Sequence, residues 1–223
     1  RLLIGGGAVA AVAAIAAGRE YYLLSSLKGP DPLLNLNRLD AVTPGSDGVR
    51  LAESAAYGPD ARQRLDVYLP AGDVTNAPVV VFFYGGGWVK GDRGDHRFVG
   101  RALASRGIIA VVPDYRLVPQ VSYPAFIADG ATAVQWAIAN AARLGGDPRR
   151  VAVAGHSAGS YIAAMLALNP AFGVGDKVNA LIGFEKRGRT DPQCYPRTPK
   201  HDAEADAATD ALRFVCDQNR FNV

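Results

Sequence analysis

Cysteine is nearly absent from this 223-residue chain, which has only Cys194 and Cys216. Two thiols build neither a disulfide-dense scaffold nor a four-cysteine zinc site. Histidine is almost as scarce. His96, His156 and His201 stand far apart and form no HExxH or other close ligand spacing, so no protein metal site is expected. Charge of one sign is lacking as well: 24 basic against 21 acidic side chains leave +3. The longest basic stretch is a pair such as Arg149-Arg150, and no basic run interleaves with aromatics. That argues against a nucleic-acid partner. With 49% apolar and 20% charged residues the chain has the composition of a folded protein, and its length suits one large domain or two small ones.

What the sequence does have begins with an uncharged apolar run, Leu2 to Ala17, preceded by Arg1. As a helix it would reach about 24 Å, short of a hydrocarbon core of about 30 Å. Its basic start and the small-residue pattern Ala14-Ile15-Ala16 resemble an export signal. Residues 1–18 are therefore read as an export signal or N-terminal anchor, with attachment to a membrane through this segment. The implied location is the cell envelope, periplasmic or secreted, with the cytoplasm as the alternative. The opposite end is unusual in another way. Residues 184–223 carry 14 charges in 40 residues, against 31 in the 183 before them, and the periodic apolar signal stops at Gly183. Either this is a solvated tail, or the reading frame or gene structure changes there.

Between the ends, strand and helix signals alternate. Arg64 to Leu69 alternates at period two after a Tyr57-Gly58-Pro59-Asp60 turn, which predicts an antiparallel pair. Val79–Phe83, Ile108–Val112, Val151–Ala154 and Val178–Ile182 are short, mostly apolar runs that suit strands buried on both faces. Helices are expected over Phe98–Arg106, from Pro124 to the Gly145-Gly146-Asp147-Pro148 break, and over Ala158–Leu168. Such alternation predicts an α/β fold, a mostly parallel sheet flanked by helices.

The strand VAVA runs straight into Gly155-His156-Ser157-Ala158-Gly159 and then a helix. This is G-x-S-x-G in its strand–turn–helix setting. The turn strains Ser157, presses helix on strand and leaves room only for small residues at 155 and 159. Ser157 is the candidate nucleophile, at the positive end of a helix where the Ala158 N–H would stabilise an anionic oxygen. The bland alternative is a glycine-rich strand–helix turn. A second signal, Tyr84-Gly85-Gly86-Gly87-Trp88, follows the VVVFF strand. Glycines there aim N–H groups at one place. A phosphate cradle needs a following Lys-Ser/Thr or a second glycine pattern, and neither is present, so an oxyanion hole is favoured.

FFYGGGWVKGDR, PDYRL, YPAFIADGATAVQW and AGHSAGSYIAAMLAL together resemble the α/β-hydrolase fold. The likeness is to bacterial carboxylesterases of the hormone-sensitive-lipase-like and feruloyl/acetyl-esterase-like groups, over roughly Arg50 to Gly183. It implies a serine hydrolase acting on small-molecule carboxylic esters through an acyl-serine, with no cofactor. It also implies that Gly86, Gly87 and Ala158 form the oxyanion hole, with Tyr84 where the family usually has His. Asp114-Tyr115-Arg116 matches the family's D-Y-R segment and is read as a brace for the glycine loop, with Asp114 able to pair with Arg116. Trp88 and Tyr123 are read as packing residues or as walls of an acyl or alcohol pocket.

The resemblance also implies an acid and then a histidine, each after a later strand. Only His201 follows Ser157 in this sequence, 44 residues on, and neither Asp176 nor Asp191 follows a convincing strand. His156 points away from its neighbour's hydroxyl, and His96 is a weak candidate at the site's mouth. The expected organisation is thus a linker or pre-domain segment over 19–49, a hydrolase core over 50–183 that is incomplete at its C-terminus, and an atypical charged tail, truncated or frameshifted, over 184–223. The alternative to an esterase is a catalytically inactive hydrolase-fold binding protein or a non-functional fragment.

Overall fold

The computed structural model describes residues 48–184. The apolar segment 1–18, the linker up to residue 47, and Asp191, Cys194, His201 and Cys216 lie outside the described residues.

Six strands form one sheet: β1 (Arg50–Ala56), β2 (Arg64–Leu69), β3 (Ala77–Phe83), β4 (Ile109–Pro113), β5 (Gly146–His156) and β6 (Ala180–Phe184). They lie in the order β1-β2-β4-β3-β5-β6. β1 and β2 form the expected antiparallel hairpin, β2 runs antiparallel to β4, and β4, β3, β5 and β6 are parallel. The three intervening helices are α1 (Arg97–Ala104), α2 (Ala125–Asn140) and α3 (Ala158–Leu168). A parallel pair needs a crossover of at least a dozen residues, and each helix supplies one. Right-handed crossovers set α1 on one face of the sheet and α2 with α3 on the other.

The continuous apolar runs end up where both faces are covered. Val79, Val81 and Phe83 of β3 and Ile109, Val111 and Val112 of β4 are fully buried. Each such side chain contributes about 1.5–3 kcal/mol relative to exposure. Ile127 and Val134 of α2 and Ile162, Met165 and Leu166 of α3 close the other side of this core.

α3 has the bounds its sequence predicts, whereas β5 is longer than the predicted Val151–Ala154. α2 stops at Asn140, a 3-10 turn spans Ala142–Leu144, and pairing resumes at Gly146, opposite Ala77. The register then shifts before Val79 meets Val151. Pro78 and Pro148 have no N–H to donate, so the irregularity falls where the ladder cannot run regularly.

The topology creates the crevice. From β3 the chain moves to β4 on one side, while from β5 it moves to β6 on the other. Loops leaving the C-terminal ends of β3 and β5 therefore diverge, and open α/β sheets bind ligands at this kind of switch point. The loop after β3 is Tyr84–Asp92, and the residue after β5 is Ser157.

A buried carboxylate pins α2 to the hairpin. Asp129, 1% exposed, accepts from Nε and Nη2 of Arg116 at 2.7–3.1 Å, from the Arg116 N–H at 2.9 Å and from Gln63 Nε2 at 2.8 Å. Removing the carboxylate strands these donors. D129A is expected to lower unfolding stability by about 2–4 kcal/mol, read from urea unfolding of the full chain. A loss below about 1 kcal/mol would contradict this reading of the network.

Candidate active site

Backbone closeness makes this site. Ser157 has φ 53° and ψ −122°, in a region that non-glycine residues rarely occupy. It is exposed although Gly155, Ala158 and Gly159 of the same motif are buried. A Cβ on Gly159 would fall on the carbonyl oxygen of Phe83 and 2.6 Å from that of Tyr84, and a Cβ on Gly155 would fall on the Gly159 carbonyl. Ser160, buried at the first turn of α3, donates to the Gly155 carbonyl at 2.7 Å and ties helix to strand.

The glycine loop begins against this turn. A Cβ on Gly85 would lie 3.1 Å from the Ser157 Cβ and 3.0 Å from the His156 carbonyl oxygen. Gly86, Gly87 and Trp88 then take φ of 127°, 61° and 60°. The N–H groups of Val89 and Lys90 donate back to the Gly86 carbonyl at 3.2 and 3.3 Å, closing the loop on itself. No described backbone carbonyl accepts from the N–H of Gly86, Gly87 or Ala158. Ser157, both glycines and Ala158 are thus brought to one end of the sheet, beside the N-terminus of an 11-residue helix.

Tyr84, where the family usually has His, is fully buried and donates from Oη to Asp114 Oδ1 at 2.6 Å. Asp114, 2% exposed, also accepts from the Arg93 N–H at 2.7 Å and forms an ion pair with the Arg93 guanidinium. Arg93 reaches Asp66 as well, at 2.9 Å. Burial pushes the Asp114 carboxyl up, while the donors from Tyr84 and Arg93 pull it back. Burial, with Asp114 alongside, pushes the Tyr84 phenol far up, so it stays a donor.

This corrects the expected Asp114–Arg116 pairing. Arg116 turns to Asp129 on α2, and Asp114 takes Arg93 from beyond the glycine loop. Each carboxylate finds a guanidinium delivered by a different element, and both carboxylates are buried, unlike an exposed ion pair.

Among the other candidates, His96 stacks on Tyr84, with ring centroids 4.9 Å apart, and its Nδ1 lies 3.0 Å from the Asp92 carbonyl. The His156 Nδ1 would lie 3.0 Å from a Cβ on Gly85, so this ring backs the loop. Asp176 sits in the turn before β6, next to the C-terminal end of α3 and so at the far end of that helix from Ser157. Trp88 stacks on Phe126 at 5.5 Å and meets the Tyr161 ring edge-on at 5.6 Å, and Tyr123 meets Phe126 edge-on at 6.2 Å. Both aromatics therefore belong to one cluster beside the loop. A hollow in the described surface, between Arg50, Glu53, Asp73 and Arg143, includes none of these residues. No group of three or more potential metal ligands occurs among the described residues.

The BD-FAE family model matches residues 65–187, from β2 through the end of the described chain. The chain belongs to the BD-FAE family. It is 44% identical over 145 residues to Carboxylesterase NlhH of Mycobacterium tuberculosis, a match covering 65% of this chain and 42% of that protein. Among solved structures, a Pyrobaculum calidifontis esterase superposes with a TM-score of 0.55 at 28% identity, covering 70% of this chain and 55% of that one. Thermogutta terrifontis esterase 2 phosphonylated by sarin gives 0.55 at 27%, covering 71% and 62%. The chain spans less than half the length of the curated relatives it matches. A second family model, the phage P22-like portal protein, matches residues 174–223.

Arg62 and Arg93 had no signature in the sequence, because their partners are carbonyls and carboxylates that only the fold brings near. The pH dependence of stability follows from the two described histidines. Burial lowers both pKa values, with the His96 charge adding to the effect on His156. The unfolded chain takes up protons below about pH 6.5 that these rings refuse when folded, so stability falls as pH drops from 6.5. Replacing both rings in H96Q/H156Q is expected to flatten the pH 7 to 5.5 limb of urea-midpoint measurements. An unchanged limb would contradict the assignment.

Proposed function

We propose that this chain is a carboxylesterase-type serine hydrolase that cleaves small-molecule esters through an acyl-serine intermediate. The observation that carries the reading is Ser157, exposed on a strained turn between β5 and α3, with the glycine loop packed against it. Names such as Carboxylesterase NlhH, and the phosphonylated state of the Thermogutta esterase, support it.

In this reading the Ser157 hydroxyl oxygen attacks the ester carbonyl carbon as a base removes its proton. The carbonyl π electrons move onto oxygen, and the N–H groups of Gly86, Gly87 and Ala158 hold the oxyanion. The C–O bond to the alcohol breaks, the alcohol leaves with the proton, and the acyl group stays on Ser157. Water then attacks the acyl carbon, releasing the acid and restoring the hydroxyl. The Trp88–Phe126–Tyr161 cluster gives the site an apolar flank for one substrate arm. An envelope or secreted location rests on residues 2–17 alone. Among the described residues no helix is long and apolar enough to cross a membrane.

One observation favours a second reading, a hydrolase-fold chain that captures a ligand without turnover. Asp176, an acid that follows Ser157 in the sequence, lies at the far end of α3 from it. Treatment with a fluorophosphonate and assay with p-nitrophenyl acetate separate these readings. The esterase reading expects one phosphonate on Ser157, none in S157A, and turnover that falls about 10³–10⁴-fold in S157A. Labelling without turnover is the signature of the capture protein. Equal reactivity in S157A would contradict both.

A further inference from the structure

We infer that Arg62 is a positioning residue that clamps the two ends of the glycine loop and so sets the oxyanion hole. This rests on the reading of Ser157 as nucleophile. It deepens that reading with a residue upstream of the segment 65–187 that the family model matches.

Arg62 stands on the turn between β1 and β2, and its guanidinium reaches across the top of the sheet. Nη2 donates to the Tyr84 hydroxyl at 2.9 Å and to the Gly91 carbonyl at 2.9 Å. Nε donates to the Tyr115 carbonyl at 2.9 Å, and Nη2 lies 3.7 Å from Asp114 Oδ1. Tyr84 opens the loop and Gly91 is its last residue but one, so one planar group holds both ends. Tyr115 completes the frame by donating from its hydroxyl to the Tyr84 carbonyl at 2.8 Å.

The loop needs such a holder. Gly86, Gly87, Trp88 and Gly91 all have φ between 60° and 127°, and glycine-rich chain loses the most freedom on ordering. Its closing bonds, from Val89 and Lys90 to Gly86, fix the inside of the loop and leave its ends to be set by other elements. The clamp itself is anchored. The Arg62 N–H donates to Asp60 Oδ1 at 2.8 Å, and the neighbouring Gln63, buried, donates to Asp129 at 2.8 Å. A guanidinium fits this task because its donors form a rigid fork. An ammonium at the same place would be a single point on a flexible stem.

The test uses the full chain as wild type, R62A and R62K. It measures the rate at which a fluorophosphonate labels Ser157 and the hydrogen exchange of peptides covering residues 84–91. R62A is expected to label about 10- to 100-fold more slowly, as a donor displaced by about 1 Å implies. Exchange over 84–91 is expected to quicken while β3 and α3 keep their protection, with R62K falling between wild type and R62A. On p-nitrophenyl acetate the loss should appear in kcat per folded molecule, the folded fraction being read from the urea curve, with KM held. A merely structural weakening would lower apparent kcat through the folded fraction alone and leave kcat per folded molecule unchanged. Wild-type labelling and loop exchange in R62A would overturn the inference. If R62A loosens the whole core, R62K decides, and a folded R62K with wild-type rates overturns it. If wild-type protein is not labelled at all, the esterase reading fails by itself, and loop exchange in R62A still decides whether Arg62 holds the loop.

Discussion

The first turn of α3 lies so close to the end of β3 that no side chain fits between them, and the rest of the site depends on that approach. Gly159 sits on the carbonyls of Phe83 and Tyr84, and Gly155 sits under Gly159. The contact forces Ser157 into its positive-φ conformation and turns its side chain out of the sheet. It also starts the glycine loop within van der Waals reach of the serine. A helix held back by even one methyl group would lose the bond from Ser160 to Gly155 and move the Ala158 N–H away from the loop.

Around this contact the buried charges act as fasteners. Asp114 and Asp129 are both nearly inaccessible, and each is met by an arginine brought from a different element. Burying a carboxylate is costly unless it is paired and hydrogen-bonded, so each carboxylate accepts from several donors. Asp114 joins Tyr84, Arg93 and, at longer range, Arg62, which links the loop to the hairpin and to β4. Asp129 joins the hairpin to α2. The hairpin thus carries weight beyond extending the sheet, because its turn supplies side chains to both carboxylate networks.

The elements were largely legible because their signals are local. Period-two alternation marked β2, continuous apolar runs marked β3 and β4, and Ala158–Leu168 was bounded by the motif itself. The switch-point crevice was legible only through the family's likeness, since strand order leaves no trace in periodicity. The partners of Asp114 and Arg116 were not legible. A two-residue spacing suggested that they pair, but the choice of arginine depends on where the glycine loop returns the chain. Arg62 was invisible for the same reason, its partners being main-chain carbonyls and a tyrosine hydroxyl. Toward the C-terminus, the rise in charge density after Gly183 and the overlap of the two family models over residues 174–187 fall on the same stretch of chain.

The central claim is that Ser157 and the three N–H groups of Gly86, Gly87 and Ala158 converge on one reacting centre. A crystal structure of the chain after reaction with a fluorophosphonate tests this most directly. The account predicts a phosphonate bonded to Ser157 Oγ with its phosphoryl oxygen about 2.7–3.1 Å from these N–H groups. A phosphonate on another residue, or one on Ser157 with its phosphoryl oxygen turned to solvent, would contradict it.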